Sequence, residues 1–325
     1  MIFREKSYAG STGLLQNKRF VIQWIPDLFC NYSCSYCWPG SNSPNRNHLP
    51  VEILIKGLSD LKSKVNNMGI HDFHLSFAGG EPTVYPGFLE LVQSYCNDKT
   101  QKRQSMNVTT NLTFGNKWWN NFFEITRNLD NLTINASWHR ESVKDRDLSR
   151  IKFLRISNQM KSMNRHFVIT MVISPSQFDD VYFDALFFRK HGANVVIRPE
   201  RIMHKGILIN HPDYTKEMLD SIFDWNMGKP ISPFIHVEDN IIKYDDVEQA
   251  ISLDKTNYKG WLCYAGSTGV RIKPNGDIGR GFGCIDKKIG NIIDNSYVLD
   301  PNPKPCITQK CFCASDMNKP KIKKD

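Results

Sequence analysis

Phe29-Cys30-Asn31-Tyr32-Ser33-Cys34-Ser35-Tyr36-Cys37-Trp38 follows directly on the apolar stretch 20–25 and sets three cysteines in a C-x3-C-x2-C pattern on one short segment. Three thiolates on one loop can each bind one iron of a cubane [4Fe-4S] cluster, leaving the fourth iron without a protein ligand and free to take a small molecule. An open coordination position is what a catalytic metal site needs, whereas a structural site closes its shell. A zinc knuckle would need a fourth Cys or His, and the nearest downstream candidate is His48. Three unrelated buried cysteines are the remaining alternative.

About one βα unit later, Phe77-Ala78-Gly79-Gly80-Glu81-Pro82-Thr83 closes an apolar run over 73–77. Paired glycines let a backbone come close to a ligand, and the following proline stiffens the turn. Together the triplet and the turn resemble the radical S-adenosylmethionine (radical SAM) superfamily. The resemblance implies a [4Fe-4S] cluster on Cys30, Cys34 and Cys37 that binds S-adenosyl-L-methionine. It also implies that Gly79, Gly80, Glu81 and Pro82 meet the amino group of the methionine moiety and that Tyr36 contacts the adenine. Asn111, after the third strand, and Ser137, at the end of the fourth, are candidates for hydrogen bonds to the ribose or the methionine moiety. Arg150 is the candidate for the carboxylate, with Arg146 and Arg140 as rivals, because a guanidinium pairs two oxygens at once. For each of these polar residues, helix capping or solvation is the alternative. The implied chemistry is reductive cleavage of S-adenosylmethionine to a 5′-deoxyadenosyl radical that abstracts a substrate hydrogen atom, with an electron donor such as flavodoxin or ferredoxin as partner.

The chain alternates strand and helix patterns. Strands are expected at 19–25, 73–77, 105–110, 131–137, 167–173 and 194–198, and helices at 51–68, 86–96, 117–129, 148–163 and 178–190. Pro86 is read as a first-turn residue of its helix. Strict alternation argues for an α/β fold, a parallel sheet curled into a partial (βα)6 TIM-like barrel with its chemistry at the carboxyl ends of the strands. The superfamily's usual core is such a barrel. Residues 1–199 form this core on our reading. Residues 200–260, with a helix at 214–227, a Pro-marked loop at 229–233 and a strand near 234–237, form a bridging segment able to cover the open side. A first strand beginning by about residue 20 leaves no room, on this reading, for an N-terminal peptide-binding domain.

Residues 261–325 hold the remaining cysteine array. Cys263 and Gly266 precede an Asn275-Gly276 hairpin signal, then come Cys284, Cys306, Cys311 and Cys313. The layout resembles the SPASM and Twitch auxiliary-cluster domains of radical SAM enzymes, with one departure: position 281 is glycine and the cysteine arrives at 284. Five cysteines cannot ligate two clusters, so the resemblance implies one auxiliary [4Fe-4S] cluster on Cys263, Cys284 and two of the last three. A structural zinc site with the same ligands is the alternative. Cys96, alone on an apolar helix face, reads as core packing.

Composition agrees with an enzyme. At 325 residues, with 40% hydrophobic and 11% aromatic content, the chain can bury a sizeable core in about two domains. No apolar run approaches the ~18–20 residues of a membrane span, and no secretory h-region follows Met1, so a soluble, cytoplasmic protein without membrane partners is expected. Nine cysteines in a reducing compartment then point to metal ligation, and the Asn-x-Ser/Thr sequons are accidents of an Asn-rich chain. The charge of +9 reflects 42 basic against 33 acidic side chains, concentrated at 139–166 and in the tail. Such surface can draw nucleic acid, an acidic peptide or a nucleotide-linked substrate, although a solvated helix face explains it as simply. No nucleic-acid-binding module is visible, and charge alone leaves nucleic acid open. The expected function is a radical SAM oxidoreductase or peptide- or protein-modifying maturase. A dehydrogenase or isomerase acting on a sugar or nucleotide is the alternative, and a zinc-stabilised nucleic-acid-binding protein the remote one.

Overall fold

The computed structural model describes residues 6–7, 19–37, 43–44, 46, 48–204, 207–226, 233–238, 241–253, 255–282, 284, 288–311 and 313–323. Behind a short strand β1 (Lys6–Ser7) come β2 (Arg19–Trp24), β3 (Asp72–Phe77), β4 (Arg103–Thr110), β5 (Asn131–Trp138), β6 (His166–Ile173) and β7 (Val195–Pro199). Each of these six pairs in parallel with the next, in sequence order. The six strands lie where the sequence pattern placed them, within two residues at each end. Helices Val51–Asn67, Phe88–Asn97, Asn116–Thr126, Arg146–Ser162 and Phe178–Lys190 connect them. One detail differs: the helix after β3 begins at Phe88 with Gly87 as its N-cap, so Pro86 lies in the preceding turn and not in the first helical turn.

Burial alternates along β3, β5 and β6 with period two, as pleated strands require. The fully buried series, including Phe20, Ile22 and Trp24 of β2, Leu75, Val108, Ile134 and Ile169, packs with Leu58, Leu91, Phe122, Ile156 and Phe188 of the helices. The other series, half-buried and mostly polar, includes Ser76, Asn107, Asn135, Ser137 and Thr170. The apolar core therefore lies between sheet and helices, and the opposite face of the sheet is hydrogen-bonding in character.

After β7 come a hairpin, β8 (Arg201–His204) with β9 (Ile207–Asn210), and helix Lys216–Asn226. This helix covers the edge strand: Trp225 Nε1 donates to the Val195 carbonyl at 3.1 Å and Asn226 Nδ2 to that of Ile197 at 2.8 Å. Carbonyls that an edge leaves open are thereby satisfied. The expected proline-marked loop at 229–233 lies outside the described residues except for Pro233, which opens β10 (Pro233–Glu238), paired with β11 (Ile241–Asp246). Helix Val247–Ser252 follows.

The C-terminal residues join both sheets. β12 (Leu262–Cys263), β16 (Lys304–Pro305) and β17 (Lys321–Ile322) build a six-stranded sheet with β1, β10 and β11. β13 (Gly269–Ile272), β14 (Asp277–Gly279) and β15 (Lys288–Asn291) instead extend the barrel sheet to nine strands, with β13 parallel to β2. The turn between β13 and β14 contains Asn275-Gly276, with Gly276 at φ +82°, as the dipeptide led us to expect. No helix among the described residues is long and apolar enough to cross a membrane.

The β5 and β6 connections meet at one carboxylate. Asp184, fully buried, accepts from Trp138 Nε1 at 3.0 Å, Arg140 Nη1 at 2.8 Å and Arg150 Nη2 at 2.5 Å. Removing one member of a buried ionic group leaves the others uncompensated, which costs about 3–5 kcal/mol. Asp184→Ala should therefore lower the unfolding free energy by roughly that amount in urea melts. A loss below ~1 kcal/mol would show that Asp180 and Asp147, which also pair with Arg140 and Arg150, suffice to hold them.

Candidate active site

The triplet loop leaves β2 and lies against the turn that follows β3. Backbone bonds tie the two: Gly80 N–H donates to the Asp27 carbonyl at 3.3 Å and Glu81 N–H to that of Phe29 at 2.9 Å. A side chain at Gly80 would collide with the Leu28 and Phe29 carbonyls, its Cβ falling 2.4 and 2.2 Å from them. The close approach that Gly80 permits is thus to the cysteine loop itself, where the sequence suggested a ligand. Gly79 adopts φ +130°, which favours glycine. Pro82 opens the short 3-10 turn Pro82–Val84.

Glu81 is 2% exposed, and burial raises its pKa against the hydrogen bonds it accepts. Those come from Asn111 N–H at 2.6 Å, Thr83 N–H at 3.1 Å and Thr83 Oγ1 at 2.5 Å. One carboxylate thereby joins the ends of β3 and β4. Asn111 in turn donates from Nδ2 to Asn31 Oδ1 at 3.0 Å and accepts from Thr113 N–H at 3.1 Å. Its amide, the candidate for a cofactor contact, braces the cysteine loop.

A second brace comes from the segment after β5. Ser142 Oγ lies 3.4 Å from Cys34 Sγ, Glu141 accepts from Ser35 N–H at 2.5 Å and Ser35 Oγ at 2.9 Å, and His139 Nδ1 sits 3.1 Å from Tyr36 Oη. The His139 and Tyr36 rings stack at 5.9 Å. Burial pushes the His139 imidazole down to about 4, so it is neutral at pH 7. The third brace is Asp27, fully buried, which accepts from Phe29 N–H at 3.0 Å and pairs with His48 Nδ1 at 3.1 Å. His48, the candidate fourth zinc ligand, is thus the partner of a carboxylate.

Burial raises the Cys34 thiol and lifts Cys30 to about 11, so both are protonated unless a metal takes their place. Cys37 N–H donates to the Cys34 carbonyl at 3.1 Å, turning the last two cysteines of the triplet together. Three thiols carried by one braced turn fit a cluster that bonds each thiolate through a different iron. Among the described residues no three His, Cys, Asp or Glu side chains converge as a single metal ion requires.

Arg150 does not present a free guanidinium. It is held by Asp184 and Asp147 and lies 4.6 Å from the Phe187 ring centroid, so the candidate for the cofactor carboxylate is already paired with two carboxylates of the chain. Its rival Arg140 is likewise paired with Asp180 and Asp184. Ser137 stands on the half-buried face of β5 beside Thr170 of β6.

The C-terminal cysteines do gather. Cys263, Cys284 and Cys306 line one small cavity with Arg280 and Ile307. Cys311 packs in the same small cluster, while Cys313 Sγ lies 3.4 Å from Ser315 Oγ. Burial raises Cys306, Cys311 and Cys313 and lifts Cys284 to about 11. Two buried lysines stand beside them. Lys319 donates to Asp316 Oδ1 at 3.0 Å, and Lys321 donates to the carbonyls of Asp316, Met317 and Lys319. Burial opposes the charge on Lys319, but Asp316 and the neighbouring thiols hold its pKa above the ordinary value.

Sequence reasoning missed Asp27, Glu141, Ser142 and His139. Only the acidic and polar character of 139–142 hinted at a role, because their partners lie about a hundred residues away.

Two outcomes follow from these contacts. Gly80→Ala should lower the iron bound by Cys30, Cys34 and Cys37, because the methyl group strikes loop backbone that has no room to retreat. Full iron content with weakened S-adenosylmethionine binding would return Gly80 to the cofactor. For His139, the fold holds the neutral ring, so its contribution is complete above the ordinary pKa of 6.5 and is lost as pH falls toward about 4. From about pH 7 to about pH 5 the wild type should lose roughly 2 kcal/mol more than His139→Gln in urea melts. Parallel losses would place the titration elsewhere.

Comparison with known proteins bears on this geometry. The model of the radical SAM superfamily matches residues 24–180. GTP 3',8-cyclase of Haemophilus influenzae (strain PittEE) is 32% identical over 82 residues, 25% of this chain and 23% of the cyclase. A UPF0026 protein of Helicobacter pylori is 41% identical over 69 residues, 20% of this chain and 21% of that protein. The chain thus spans less than a quarter of the length of these curated relatives. Among solved structures, Streptococcus suis SuiB bound to precursor peptide SuiA aligns with TM-score 0.53 at 15% identity, over 87% of this chain and 65% of SuiB. The anSMEcpe structure with bound AdoMet aligns with TM-score 0.55 at 18% identity, over 84% of this chain and 75% of that one. At such identities the likeness establishes the fold, a partial barrel of the same kind. With the cysteine triplet braced at the end of its first barrel strand and the family match running from that strand to residue 180, residues 24–180 form a radical SAM domain.

Proposed function

We propose that this protein is a radical SAM oxidoreductase or peptide-modifying maturase that uses a second, auxiliary [4Fe-4S] cluster. The observation that carries the reading is the gathering of Cys263, Cys284 and Cys306 around one cavity, on a chain segment whose β13 pairs with β2 of the barrel. The second array sits where the C-terminal strands join the two sheets, with Cys263 in β12 of the six-stranded sheet and Cys284 after β14 of the barrel sheet. Cys30, Cys34 and Cys37 would hold the first cluster, and Cys263, Cys284, Cys306 and Cys311 the second, with Cys313 to spare. When bound, the first cluster supplies the electron that cleaves S-adenosylmethionine to a 5′-deoxyadenosyl radical.

The residues of the chain do the placing. Asp27, Gly80, Glu81 and Glu141 fix the loop so that its cysteines keep one orientation, and Tyr36, braced by His139, offers an aromatic face to the adenine. Inward-facing Ser76, Asn107 and Asn135 offer hydrogen bonds to a substrate. The helices outside the sheet keep bulk water from the strands. A buried, cation-rich setting from Arg280, Lys319 and Lys321 suits a second anionic cluster of four thiolates. An electron carrier such as flavodoxin or ferredoxin would be the redox partner.

A peptide substrate is supported by the alignment with SuiB bound to its precursor peptide. A second reading, a nucleotide substrate, is favoured by the 82-residue match to GTP 3',8-cyclase. The charge of +9 suits either, and no further observation draws the chain to nucleic acid.

Anaerobic reconstitution tests the proposal. The wild type should bind about 7–8 irons and form 5′-deoxyadenosine when reduced. Replacing Cys30, Cys34 and Cys37 by Ala should remove about four irons and all cleavage. Replacing Cys263 and Cys284 should remove about four others while cleavage continues, uncoupled from product. One zinc in place of the second cluster, with the C-terminal strands unfolding in the double variant, would show a structural site instead.

A further inference from the structure

The side chains on the half-buried face of the barrel sheet form a hydrogen-bonded series that stops abruptly. Across adjacent strands, Arg271 of β13 is the register partner of Gln23 of β2, Gln23 of Ser76, and Ser76 of Asn107. Directly paired residues share a face of the sheet, so these four lie together on the face opposite the apolar core. Asn135 Nδ2 donates to Asn107 Oδ1 at 2.9 Å, and Asn107 Nδ2 donates to Ser76 Oγ at 3.2 Å. At Gln23 the series ends. This residue is 7% exposed, and its Nε2 is buried with no hydrogen-bond partner among the described residues.

The next position repeats the pattern. Arg271 Nε is also buried and unpartnered among the described residues, although Nη1 donates to the Phe282 carbonyl at 3.4 Å and the guanidinium lies 3.9 Å from the Phe282 ring centroid. A buried donor left unmatched costs about 1–3 kcal/mol, and buried polar groups are almost always matched. Two such donors at paired positions, one of them cationic, call for the same complement: an oxygen-bearing anion. Asp316 and Cys313 are near enough for their charge to act on Arg271, so it stands close to the C-terminal cysteine array.

We propose that Gln23 and Arg271 form a subsite that binds a carboxylate or phosphate group of the substrate, between the barrel interior and the C-terminal cysteines. The inference rests on the reading above in one respect, that a substrate enters the barrel. The amide series of Asn135, Asn107 and Ser76 then receives the neutral, hydroxyl- or amide-bearing part of the same molecule. The anionic end is held beside the second cysteine array while the remainder extends toward Cys30, Cys34 and Cys37.

The test is a binding measurement that needs no turnover. Iron-reconstituted wild type, Gln23→Met, Arg271→Met and the exposed-site control Arg127→Met are titrated with N-acetylglycine and, separately, with inorganic phosphate, and the thermal midpoint is followed. One of the two anions should stabilise the wild type saturably, and its apparent Kd should rise about tenfold or more in each barrel variant, with the control unchanged. Saturation by N-acetylglycine assigns a carboxylate, and saturation by phosphate a phosphoryl group. Should Arg271→Met fail to fold, Gln23→Met alone decides. The proposal is overturned if neither anion saturates the wild type, or if the barrel variants bind as the wild type does. It also falls if those variants lose S-adenosylmethionine affinity to the same extent, since the pair then serves the cofactor. Formation of 5′-deoxyadenosine by the wild type reports on the radical chemistry separately, so the two ideas fail independently.

Discussion

A loop that carries three cysteines through a sharp course has little secondary structure of its own, and its backbone polar groups must be satisfied from outside. Here the outside is the turn after β3. The carbonyls of Asp27 and Phe29 are taken by Gly80 and Glu81, the amide of Phe29 by the Asp27 carboxylate, and that of Ser35 by Glu141. Everything else at the site depends on these contacts, because the thiols can share a cluster only if the loop keeps one shape. Glu81 is the central piece: its single buried carboxylate fixes the turn below the loop and reaches across to the next strand end at Asn111.

The sheet divides its two faces between stability and chemistry. One face is a continuous apolar layer under the helices, with Trp24, Trp138, Phe73 and Phe77 almost wholly buried. The other carries Gln23, Ser76, Asn107, Asn135 and Thr170, which would be poor core residues and are good ligands for polar molecules. The division follows from strand periodicity alone. Successive residues face opposite ways, so the apolar layer and the polar interior are written in alternate letters of the same strands.

The alternation explains why so much of the fold was legible in the sequence. Each barrel strand joins β-branched or aromatic residues to a flanking amphipathic helix, and the motif spacing placed the loop and the turn at strand ends. Local side-chain commitments were not legible. Arg150 looked like a free guanidinium because its partner Asp184 lies on the next helix, and Asn111 looked available because its partner Asn31 lies 80 positions earlier. Gly80 was recognised as a close-approach residue, but sequence cannot say what approaches. Nor could it show that the C-terminal hairpin joins the barrel sheet, since β13 carries no mark of a parallel partner in β2.

That parallel pairing affects how the molecule is made. Val21 meets Gly269, so the first strand of the barrel is flanked on one side by chain that is synthesised roughly 250 residues later. Contacts so distant in sequence form late, because a long loop must close before they contribute. Until the ribosome has delivered the hairpin, β2 is an exposed edge, and the cysteine loop at its end stands at an unfinished rim.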